Sequence, residues 1–195
     1  YDKANSTYLK VLVWIGVFLV SVFMALYRPE GFSYWNTISV EQLHAHGKPY
    51  QQFVNLGKFF GALIIFCWIM IGRVTEDVLR LAVPRNLLIV LISTLAVLAF
   101  AVLILRLPFT IKFSSLTITF LLVNLIVTCF SEETFYRLVV QKPSESAFST
   151  QWASRAFGVA VASAFFTLTH FSGDPGILAV MVIAGTFYAF VYALT

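Results

Sequence analysis

The sequence predicts an all-α fold, a polytopic transmembrane helix bundle with at least six spanning helices, and three observations carry that expectation. Of its 195 residues, 59% are apolar and 11% charged, against about 45 to 50% and about 25% in an ordinary soluble domain. The apolar residues gather into six runs, each near the roughly 20 residues needed to cross a hydrocarbon core. Between the runs lie polar connections and breakers, among them Pro29, Gly31, Gly47, Pro49 and Pro143. The chain starts at Tyr1 without a methionine and stops at Thr195 inside an apolar run, so it reads as a piece of a seven- or eight-helix protein.

In chain order the predicted helices cover about 9–27, 52–72, 86–105, 116–142, 153–172 and 176–194. The first has no small-residue cleavage site and reads as a retained span rather than a signal peptide. Between the first and second lies a polar connection from Arg28 to Gln51, broken by Pro29, Gly31, Gly47 and Pro49, which suits the membrane surface with Tyr34 and Trp35 as interface anchors. His44 and His46 in it have a metal-like spacing but no third ligand nearby, so solvated loop histidines are the expectation. Gly57 and Gly61, spaced GxxxG, together with Gly158 and Gly185, stand where small residues let helices approach closely. Cys67 and Cys129 both fall inside apolar runs and read as small buried hydrophobes, not as a disulfide.

The net charge of +4 argues for orientation in a membrane rather than for nucleic-acid binding, and no aromatic-basic RNA motif is present. Lys3, Lys10, Arg73, Arg80, Arg85, Arg137, Lys142 and Arg155 fall on one predicted side and outnumber Arg28, Lys48, Lys58, Arg106 and Lys112 on the other. That bias places the N-terminus in the cytoplasm. The whole chain, 1–195, reads as one membrane domain, with N-terminal helices over 1–115 and chemistry-bearing helices over 116–195.

The chemistry concentrates in Ser131-Glu132-Glu133-Thr134-Phe135-Tyr136-Arg137, which puts three ionisable groups straight after the apolar run Leu116 to Phe130. Either they lie just outside the bilayer or they are buried at a cost of about 2.5 to 3.5 kcal/mol each at a helix centre. Pro143 to Thr150 is turn-like, so the fourth and fifth helices should form an antiparallel hairpin centred near residue 147. Glu132 then sits about 11 residues, or roughly 16 Å, from the turn, near mid-membrane in a core about 30 Å thick. Across the hairpin it should look toward residues 162–170, with His170 at the far edge of that window. Glu133 and Arg137, four apart with the acid first, suit an ion pair on one helix face. Glu132 is turned about 100° away, without such a partner in its own helix, and suits taking a proton from water in a water-lined cavity.

Glu132-Glu133-x-x-x-Arg137 followed by Phe166-x-x-x-His170 resembles the two leading motifs, EExxxR and FxxxH, of the CPBP family of intramembrane proteases. That family includes CAAX prenyl endopeptidases, abortive-infection proteins and bacteriocin-immunity proteins, and the resemblance covers roughly residues 116–195. It implies an endopeptidase in which Glu132 activates water, Glu133 and Arg137 hold the site together, and His170 binds or orients the water. The implied partners are membrane lipids and a peptide or membrane-anchored protein substrate, including prenylated ones, in the cell membrane. No metal is required by this picture. A zinc variant would draw on Glu132, Glu133 and His170. The family's third motif, a His or Asn pair on a later helix, has no counterpart after His170, and Leu138 stands where a glycine often follows the arginine. Two rival functions stand beside the protease. One is a non-catalytic scaffold or immunity protein using the charges as glue; the other is a proton-coupled transporter, against which the lack of an internal repeat speaks.

Overall fold

A computed structural model describes residues 2–31, 33–39, 51–71, 83–106 and 115–195. It is 80% helical, with six helices and little sheet, as expected. These are α1 (Asp2–Leu26), α2 (Leu56–Met70), α3 (Val83–Leu105), α4 (Leu116–Ser144), α5 (Gln151–Thr169) and α6 (Pro175–Leu194). Four stretches are long and apolar enough to cross a membrane: Tyr8–Leu26, Arg85–Leu105, Leu116–Ser144 and Pro175–Leu194. Among the described residues the other two helices, α2 and α5, do not reach the same length and hydropathy. At 15 residues α2 rises only about 22 Å, and α5 carries Ser154, Arg155 and Ser163 among its apolar residues.

The second helix starts at Leu56 rather than near 52 because Gln51–Val54 is a strand, β2, paired antiparallel with β1 (Trp35–Ser39). Ile38 and Val54 are buried on the hairpin while Trp35 is exposed. β1 lies in the stretch that composition marked as polar loop, and β2 takes up the start of the run read as the second helix. His44 and His46 lie outside the described residues.

The chain divides into two compact units. The first comprises Tyr1–Trp68 and Ile111–Phe135. Within it, Gly57 and Gly61 both meet Met24 of α1: a Cβ on Gly57 would lie 3.4 Å from the Met24 carbonyl oxygen, and one on Gly61 3.7 Å from the Met24 Cβ. The GxxxG pair therefore does what its spacing implied and lets two helices close up. Trp14 packs on Trp68, and Phe59 and Phe66 both pack on Phe130. Both cysteines are free, but Cys67 is exposed, not buried as its apolar surroundings suggested.

The second unit comprises Ile69–Thr110 and Tyr136–Thr195. Here α6 packs against both α3 and α5. The α4–α5 hairpin forms as expected, but its register is displaced. A turn centred near 147 would set Gly158 level with Tyr136, whereas Tyr136 instead meets Phe166 and Thr169. Gly158 lies lower, against Gln141 and Glu145. The segment after Ser144 carries the chain beyond the end of α4 before α5 begins, and Ser154 Oγ ties that segment back by accepting from the Phe148 N–H and donating to the Phe148 carbonyl.

Candidate functional site

The helix that carries the acidic pair is not uniformly wound. Asn124–Cys129 and Thr134–Gln141 are π-helical, and Phe130–Glu133 is a single α-helical turn between them. The Phe130 N–H reaches back to the Leu125 carbonyl, five residues away. Such π segments are uncommon and concentrate at functional sites. Rotation at 100° per residue, assumed above for Glu133 and Arg137, does not carry into Thr134–Gln141.

In the first unit Glu132 has a partner that spacing within its own helix did not reveal. Lys58 Nζ, on α2, donates to Glu132 Oε1 at 2.8 Å, and the two side chains keep 32% and 19% of their exposure. The expectation concerned partners within its own helix only; an amine from another helix meets the acid, and the pair stays partly exposed. The available signal was Lys58 itself, a charge inside the predicted run 52–72, which had been counted only for orientation. Ser131, fully buried, bonds to the Val127 carbonyl. Glu133 is exposed.

Arg137, in the second unit, is 2% exposed. Its Nη1 donates to Gln141 Oε1 at 3.0 Å, and Gln141 Nε2 donates in turn to Glu145 Oε1 at 3.2 Å and to the Ala189 carbonyl on α6 at 3.0 Å. Gln141 is wholly buried, and both ends of its amide are used. The spacing Arg137, Gln141, Glu145 was legible; only the first member had been singled out.

His170 closes α5 rather than lying within it, as its C-cap residue. Its Nδ1 lies 2.9 Å from the Phe166 carbonyl oxygen, which can only accept, so Nδ1 is the donor of that bond. The imidazole stacks on the Phe166 ring, centroids 4.3 Å apart. Phe166 is itself wedged edge-on between Tyr136 and Tyr188, with Gly185 leaving room for it. Tyr136 Oη and Thr169 Oγ1 are hydrogen bonded. The Phe-x-x-x-His spacing thus has a local meaning: one helical turn supplies both the stacking face and the carbonyl that fixes the ring.

Among the described residues no three His, Cys, Asp or Glu side chains converge as a metal-ligand cluster.

Residues 114–195 match the family model described as Rce1-like, type II CAAX prenyl endopeptidase Rce1-like. The match bears out the resemblance to the CPBP family and supports a CAAX-protease-like function for an integral membrane protein. Comparison with curated proteins and with solved structures returned no match.

Proposed function

We propose that the protein is an intramembrane endopeptidase that hydrolyses a peptide bond near the membrane with a glutamate-activated water, its N-terminus in the cytoplasm of the cell membrane. The match over residues 114–195 carries this reading, because that segment holds both motifs. Glu132 takes a proton from water as the water oxygen bonds to the scissile carbonyl carbon. The carbonyl π electrons move onto oxygen, and Glu132 then returns the proton to the leaving amine as the C–N bond breaks. Glu133 and Arg137 hold the site together, by the resemblance. His170 binds or orients the water, by the resemblance. What supports that role is the Nδ1–H to Phe166 bond and the ring stack that fixes the imidazole.

The scaffold reading draws support from one observation, the Lys58–Glu132 ion pair, which already gives the carboxylate a structural use. The two separate in proteoliposomes containing the full chain and a quenched fluorescent peptide with a prenylated CAAX end. Under the protease reading, Glu132→Gln lowers cleavage by about 10²- to 10⁴-fold, the span of general-base contributions. A parental chain that leaves prenylated and unprenylated peptides intact supports the scaffold, whereas cleavage by Glu132→Gln at the parental rate removes Glu132 as the base.

A further inference from the structure

Lys58 is an isolated cation in the short apolar helix α2, and its environment fixes it from both ends. At the backbone, the Lys58 N–H donates to Asn55 Oδ1 at 2.9 Å, a helix N-cap bond. Asn55 is held in turn, its Nδ2 donating to the Ala25 carbonyl at 3.3 Å and to Tyr34 Oη at 3.1 Å. Tyr34 Oη also accepts from Arg28 Nε at 3.1 Å, and that guanidinium lies over the Tyr34 ring. Next to Lys58, Gly57 brings the start of α2 against the Met24 carbonyl. At the other end Nζ grips Glu132 Oε1, while Phe59 and Phe66 pack on Phe130, two residues before that acid. A polar chain therefore runs from Arg28 through Tyr34 and Asn55 to the start of α2, and the Lys58 side chain carries it on to the carboxylate.

Resting on the reading of Glu132 as the base, we infer that Lys58 is a positioning residue for it. The ammonium sets where Oε1 lies and so the direction from which the carboxylate meets water. Since both side chains also keep part of their exposure, the contact orients the acid without sealing it away. An error of about 1 Å in such a group costs on the order of 10²-fold in rate. A lysine retained only as glue would act on stability, whereas a positioning lysine acts on turnover and only while Glu132 can work.

The test uses the full chain in proteoliposomes with the prenylated peptide. Lys58→Met should lower kcat by about 10- to 100-fold at unchanged KM, and Lys58→Arg should restore most of it. In a Glu132→Gln background, Lys58→Met should leave the residual rate unchanged. If Lys58→Met does not fold, Lys58→Cys in a chain with Cys67→Ser and Cys129→Ser, alkylated with 2-bromoethylamine to regain the amine, should recover turnover that the unmodified thiol lacks. Parental kcat in Lys58→Met, or an equal loss in both backgrounds, overturns the inference and leaves the protease reading standing. Full cleavage by Glu132→Gln takes down the reading beneath it.

Discussion

Phe166 settles most of what His170 does, because a histidine at the end of a helix otherwise turns freely about two bonds. The stack and the bond from Nδ1 to the Phe166 carbonyl remove that freedom. The wedge depends on Gly185: a Cβ there would lie 3.0 Å from Phe166 Cδ1 and 3.2 Å from its Cβ. Gly185→Ala is therefore expected to lose stability even though alanine is the better helix former by about 1 kcal/mol, since overpacking a core site costs about 1 to 3 kcal/mol. A fall in the thermal midpoint in detergent, with cleavage reduced more steeply than the folded fraction, checks it. An unchanged midpoint would mean that Phe166 yields freely and does not lock the imidazole. Phe166 and His170 were both legible as a spaced pair; that glycine, tyrosine and backbone carbonyl complete the lock was not, because those contacts join residues distant in sequence.

At the level of elements, α4 holds the lesson of what periodicity can and cannot deliver. Its extent and its turn into α5 follow from hydropathy and from Pro143, and both are found. Its winding was not legible, since two π segments leave no mark in the sequence pattern and rotate every face inferred at 100° per residue. Gln141 bridges the last turns of α4 to α6 at the Ala189 carbonyl, and it also supplies an acceptor to buried Arg137. Gln141→Leu keeps the approximate volume and removes both, so a loss of about 1.5 to 3 kcal/mol is expected from the hydrogen bond to the charged group alone. Denaturation in mixed micelles would measure it. Tyr136→Phe, which deletes the neutral hydrogen bond to Thr169, should cost about 0.5 to 1.5 kcal/mol in the same assay. Equal losses in the two variants would show that Arg137 does not depend on the glutamine.

For the whole molecule, the six helices of the described residues were visible as apolar runs because lipid selects composition so strongly. The hairpin of β1 and β2 was not, because its strands are too short for alternation to stand out. Orientation rests on a different physical term, the retention of Lys and Arg on the cytoplasmic side. The segment that follows α4 is flanked by Lys142 and Arg155, and Ser149 within it is exposed. With Cys67→Ser and Cys129→Ser removing the native thiols, Ser149→Cys should resist a membrane-impermeant maleimide in intact cells. It should react in inside-out vesicles or once the membrane is opened. Labelling from the outside of sealed cells would put this turn on the opposite face, and the basic flanks would then be holding anionic headgroups of the outer surface rather than setting the direction of insertion.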